Sequence, residues 1–223
     1  MKGMWKSAKW EFLESELSRW QSLYFVGLGL INSYNAALNM YGGWVVYPLL
    51  SIHLITFIIV AAYRGMKWPF TGAFDLERTS GRPAWQSVLG RTLLWTVVIA
   101  LGTALQQVFL RVCLDRFERV WVRIFSDGAQ RAARIEDWIG WRPFLAVMAA
   151  GVGVYVLSLT VTLLCKSGKK GHRATLSGAV GSVLVACILG GFLLQVAPLG
   201  LLGLGCILVG LPLSIWLLAR KVE

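Results

Sequence analysis

Long stretches without any charged residue alternate with short, strongly charged ones along this 223-residue chain. All acids, lysines and arginines fall into five stretches. The uncharged runs between them, two of which are divided by turns at Gly42-Gly43 and at Pro198 to Gly200, make six apolar segments. A water-soluble helix needs a polar face, so uncharged runs of roughly 20 residues read as membrane spans. The predicted fold is an all-α polytopic membrane protein, a single integral membrane domain over residues 1–223. Its six or so transmembrane helices are predicted near residues 23–41, 44–63, 92–110, 143–165, 174–196 and 198–219.

The segments between the spans differ in kind. Residues 1–22 place Trp5, Trp10, Phe12, Leu13, Leu17 and Trp20 among Lys2, Lys6, Lys9 and Arg19, which predicts a helix at the membrane surface. Lys9 and Glu16 interrupt its apolar face. The hydrophilic connection from Arg64 to Arg91 carries Pro69, Gly72, Gly81 and Pro83, a density of helix breakers that predicts an irregular loop. Residues 111–142 read as an amphipathic connector between spans 3 and 4. On a helical wheel Cys113, Leu114, Phe117, Val120, Trp121, Ile124 and Phe125 share one face, and Asp115, Arg116, Glu118, Arg119 and Arg123 the other. A turn at Ser126-Asp127-Gly128 leads to a second short helix with Ala132, Ile135, Trp138 and Ile139. Such a hairpin suits the lipid interface, and Phe117, Trp121, Phe125 and Trp138 also suit docking of another protein.

Composition adds to this picture without redirecting it. Charged residues are 15% of the chain and hydrophobic ones 57%, against about a quarter and about half in soluble domains. The net charge of +11 follows from cationic loops under the positive-inside rule, so nucleic-acid binding is not expected. With six spans and the N-terminus inside, all eight lysines fall on the inner side and the seven arginines of residues 111–142 on the outer side. A re-entrant third segment gives a similar tally, so charge counting alone does not decide between the two. Residues 1–22 contain Glu11, Glu14 and Glu16 and lack the apolar core of a signal peptide, so the N-terminus is expected to be retained. A bacterial inner membrane fits these features best, with an organelle's inner membrane as the alternative.

Candidate chemistry within the spans is sparse. Asn32, Asn35 and Asn39 form a stripe on the first span, beside a small-residue ladder at Gly29, Ser33 and Ala37. Thr92, Thr96, Thr103 and Gln107 share a face of the third. Amides and hydroxyls need partners in hydrocarbon, so these faces predict interhelical hydrogen bonds or a polar pathway. His53 stands by itself as an intramembrane histidine and is a candidate ligand for a cofactor. Gly178, Ser182, Ala186 and Gly190 recur every fourth residue, the spacing that allows close helix crossing, and Gly200, Gly203, Gly205 and Gly210 thin the sixth span in the same way. The four cysteines form no CxxC pair, and no P-loop, HExxH or GxSxG motif occurs.

These features lead to the expectation of a non-catalytic multi-pass membrane subunit, an accessory component or interaction partner within a larger protein complex. No metal or cofactor is expected, while bound lipids and other integral membrane proteins are. The alternative is a passive channel or small-solute facilitator lined by the polar faces of spans 1 and 3. An interfacial lipid-modifying enzyme using Asp127, Glu136 or Asp137 is a third reading.

Overall fold

The computed structural model describes residues 2–14, 62–120, 139–167 and 196–220, which are helices and the turns that join them, with no strand. Helix α1 covers Lys2–Glu14, α2 Gly72–Thr79, α3 Ala84–Val120, α4 Trp141–Ser167 and α5 Val196–Arg220. Residues 62–67 are also helical and pass into a 3-10 turn at Trp68–Phe70. Three stretches, Ala84–Leu105, Trp141–Leu164 and Gly200–Arg220, are long and apolar enough to cross a membrane. The chain is an integral membrane protein. The segment predicted near 23–41, nearly all of those near 44–63 and 174–196, and residues 121–138 of the connector lie outside the described residues.

The stretch from Arg64 to Arg91, expected as an irregular loop, is instead a series of short helical pieces. Its glycines and prolines sit at the joints and punctuate the helices without dissolving them. Pro69 lies in the 3-10 turn, where its missing N–H leaves no bond unmade. The Thr71 backbone N–H and hydroxyl both donate to the Trp68 carbonyl, at 3.0 and 2.8 Å, and the Thr71 carbonyl then accepts from Phe74 N–H to open α2. The Ser80 N–H donates to the Leu76 carbonyl and closes α2, and Gly81 follows at φ 66°, the left-handed conformation that ends helices. Pro83 then presents its carbonyl to Gln86 N–H, and α3 begins. The 37 residues of α3 reach about 55 Å, so it continues through Arg91 at one end and past Arg111 at the other.

Residue contacts fix how the long helices run relative to one another. Trp95 stacks on Tyr155, Ile99 meets Gly151, and Gln107 meets Gly140, so α3 and α4 are antiparallel. Gly200 packs on Ala146, Gly203 on Gly153, and Gly210 on Val156, so α4 and α5 are parallel. The first turns of α3 and the last turns of α4 and α5 therefore share one end of the bundle, and Ser167 and Val196 lie at opposite ends. Helix α4 is the central member. Tyr155, Val156, Ser158, Leu159 and Thr162 on it are fully buried, packed with Trp68, Val88, Trp95, Ile99, Leu217 and Leu218.

Surrounding lipid is as apolar as leucine, so helices in a membrane associate through close contact and polar bonds. Both operate between α4 and α5. A methyl group on Gly153 would lie 2.6 Å from the Gly203 carbonyl oxygen and 2.8 Å from its Cα, so the two backbones touch. Seven residues along, two helical turns on, the Thr160 hydroxyl sits 2.8 Å from the Val156 carbonyl, 3.0 Å from the Gly210 carbonyl and 2.8 Å from the Ser214 hydroxyl. Such interhelical bonds contribute roughly 0.6–2 kcal/mol each.

Two substitutions separate these contributions. Gly203→Leu is expected to force α5 off α4 and lower stability by about 1–3 kcal/mol or more through overpacking. Thr160→Val, which keeps the shape and removes the hydroxyl, is expected to lower it by roughly 1 kcal/mol. Thermal unfolding of the purified protein in detergent, followed by circular dichroism, measures both, and equal midpoints for Gly203→Leu and wild type would contradict the backbone contact.

Candidate functional site

The most unusual side chain in the described bundle is a charge buried inside a helix otherwise fit to cross a membrane. Between Pro83 and Leu110 the sequence holds one charged residue, Arg91. Its side chain is fully buried. An arginine stays protonated in proteins, so burying it requires acceptors for its N–H groups and countercharge within reach.

Two separate elements, α1 and α2, supply them. One terminal nitrogen of Arg91 donates to Glu11 Oε2 on α1, and the other donates to Glu77 Oε1 on α2 at 3.1 Å. The second oxygen of Glu11 accepts from Trp95 Nε1 at 3.1 Å. Arg91 and Trp95 are four residues apart and therefore share a face of α3, so a single carboxylate is held by both. Below the guanidinium, Trp68 presents its ring at 4.6 Å, and Phe74 packs edge-on against that ring at 5.4 Å. Trp95 is held in turn by stacking on Tyr155 of α4, with ring centres 5.9 Å apart.

Local sequence explains why these groups can meet. Glu11 has a short side chain, so α1 must come very close to α3. Gly90 permits this, since a methyl group there would run into the Met4 carbonyl and lie 3.2 Å from Ser7 Cβ. Gly65 does the same on the other side, where a methyl group would lie 2.5 Å from the Tyr155 carbonyl oxygen. On α2, Phe74 and Glu77 are buried and three residues apart, while Asp75 and Leu76 are exposed, so one face of this short helix turns toward Arg91. The pairs Gly3 with Gln86, Met4 with Gly90 and Glu11 with Trp95 advance together, so α1 runs parallel to the first turns of α3. Its pattern is inverted relative to a soluble helix, with Ser7 and Glu11 inward and Trp5, Trp10 and Leu13 outward.

Chemically, the cluster is a latch. Both oxygens of Glu11 are engaged, one by the guanidinium and one by the indole. The arrangement fastens the N-terminal helix and α2 to the entry of the α3 span. Sequence reasoning missed it. Arg91 was read as the last residue of a loop, and neither Glu11 nor Glu77 was read as a partner. The available signal was the isolation of Arg91 in a long uncharged run, immediately after a glycine.

The residues singled out from the sequence are distributed as follows. Thr96 and Thr103 lie on α3, and their hydroxyls donate to the Thr92 and Ile99 carbonyls of their own helix at 2.8 and 2.7 Å. The Gln107 side-chain oxygen accepts from Gly140 N–H at 2.9 Å, which ties α3 to the entry of α4. Phe117 belongs to the last turn of α3. Asn32, Asn35, Asn39, His53, Trp121, Phe125, Trp138, Gly178, Ser182, Ala186 and Gly190 lie outside the described residues.

Removing only the cation from the latch is the sharpest test of it. Arg91→Met is expected to lower stability by about 3–5 kcal/mol, because it leaves two buried carboxylates without countercharge. The triple variant Glu11→Gln, Glu77→Gln, Arg91→Met is expected to recover most of that loss. Chemical denaturation in detergent reads both values, and a triple variant no more stable than Arg91→Met would show that the charges are not what destabilises the single variant.

No protein-family model, no curated protein and no solved structure matches this chain.

Proposed function

We propose that the protein is a non-catalytic, six-span membrane subunit that acts by helix association within a larger membrane assembly, with the bacterial inner membrane as its setting. The observation that carries this reading is an apolar groove between α4 and α5. It encloses about 720 Å³ and is lined by Leu157, Val161, Leu164, Leu202, Gly205 and Val209, among others. Among the described residues, a methyl group on Gly205 would meet nothing within 4 Å, so the glycine does not face the α4 backbone. A groove of this composition, thinned by glycine along one wall, suits a further helix packed closely against it.

Two features support the reading. The hydroxyls of Thr96 and Thr103 bond to their own helix and Gln107 links two helices, which are structural uses of the polar face of α3. The six-span count is supported by the parallel register of α4 and α5, which leaves Ser167 and Val196 at opposite ends of the bundle. Lys6, Lys9, Arg82 and Arg220 lie toward the end that also holds the start of α3, which supports that end as the inner side under the positive-inside rule.

Gentle solubilisation followed by mass spectrometry of co-migrating proteins tests the proposal. Wild type is expected to migrate with defined membrane partners, and Gly205→Leu, which fills the groove without touching the α4 contact, is expected to weaken that association while leaving thermal stability unchanged. Wild type migrating by itself would overturn the reading. So would solute flux in proteoliposomes that is abolished by Asn32→Leu or Asn35→Leu, which would support a passive facilitator.

A further inference from the structure

We propose that the outward face of α1 binds the headgroups of anionic phospholipids. Helix geometry advances each residue by about 100°, so Phe12, Trp5, Lys9, Leu13, Lys6 and Trp10 follow one another around an arc of about 160°. All six are exposed, Trp5 by 63% and Trp10 by 54%. The opposite arc, with Ser7, Ala8 and Glu11, is buried against α3. The latch therefore does more than fasten the helix. It turns Glu11 into the bundle, so the exposed arc carries aromatic rings and ammonium groups without that countercharge.

The position of this arc selects its partner. Helix α1 lies beside residues 86–95 of α3, and the antiparallel register places the same level of α4 near Tyr155 to Leu164, just inside Lys166. This is the outer layer of the span. Hydrocarbon alone does not tolerate an ammonium group there, but a lysine stem extends along apolar surface to deliver its charge to the headgroup layer. Indole rings collect at that depth because one end of the ring is apolar and the other forms hydrogen bonds. Among the described residues no carboxylate pairs with Lys6 or Lys9; phosphate supplies that negative charge and acceptors for the indole N–H groups, and each lysine near an anionic leaflet adds to the attraction. A protein docking site would bury aromatic residues but would not favour two lysines among them.

Thermal unfolding of the full chain in mixed micelles tests this, with phosphatidylglycerol or phosphatidylcholine as the added lipid. For wild type, phosphatidylglycerol is expected to raise the midpoint by several degrees more than phosphatidylcholine, and high salt is expected to shrink the difference. Lys6→Gln with Lys9→Gln is expected to remove at least half of the difference while leaving the phosphatidylcholine midpoint in place. Lys67→Gln is expected to leave it intact, because that ammonium belongs to a different helix, 62–67, and lies 5.6 Å over the Tyr63 ring. Native mass spectrometry of wild type, with retained phosphatidylglycerol exceeding phosphatidylcholine, gives a second reading that needs no variant. Equal response to the two lipids, or a double variant that keeps the full difference, would overturn the proposal and assign the face to a protein partner.

Discussion

A guanidinium that cannot lose its proton, placed a few turns inside a helix that otherwise suits hydrocarbon, constrains everything near it. Arg91 needs countercharge that water cannot supply at that position, and it draws it from two elements outside its own helix. Helix α1 brings Glu11, and α2 brings Glu77. The 3-10 turn between the end of helix 62–67 and α2 exists in a form that sets Trp68 flat beneath the cation. Gly90 and Gly65 are the points at which backbone must approach backbone for these groups to arrive. A single buried charge thus accounts for the placement of three segments that have little apolar surface to bury among themselves.

The interface between α4 and α5 follows different physics. Between α4 and α5 there is no charge to satisfy among the described residues, and the helices are held by direct contact at Gly153 and Gly203 and by the Thr160 hydroxyl, which lies within hydrogen-bond distance of three oxygens. Helix α4 participates in both systems. Its Tyr155 supports Trp95, which fixes one oxygen of Glu11, and one turn further along its Thr160 reaches the backbone of α5. A displacement of α4 would therefore be felt at the latch and at the glycine interface together. This coupling runs through contacts that are each a few ångströms long.

The two systems also divide the surface. The charges of Glu11, Arg64, Glu77 and Arg91 and several hydroxyls are buried inside, and the outward faces are left apolar on α5, with Leu201, Leu208 and Val209 exposed, and aromatic and cationic on α1. Faces of the first kind meet lipid tails or other helices, and faces of the second kind meet headgroups. The proposed roles in assembly and in lipid binding both arise from this sorting.

Membrane character and helical class were legible from the sequence because both depend on local composition. A run such as 143–165, free of charge between Arg142 and Lys166, can be recognised without knowing what it touches, and it lies inside α4. The thin glycine face of α5 was legible for the same reason, though not which glycines meet a neighbour. Gly203 meets α4 and Gly205 does not, and only the position of α4 distinguishes them. The latch was hidden more completely. In a linear reading a charge next to an apolar run marks the end of a span, and glycines and prolines upstream mark a loop. Arg91 breaks the first inference because its neutralising partner Glu11 is 80 residues away, and the stretch before it breaks the second because its breakers fall between short helices. Composition alone determined that this chain enters a membrane. Which charges it takes in with it was decided by tertiary structure, because neutralisation depends on distance in space and not on distance along the chain.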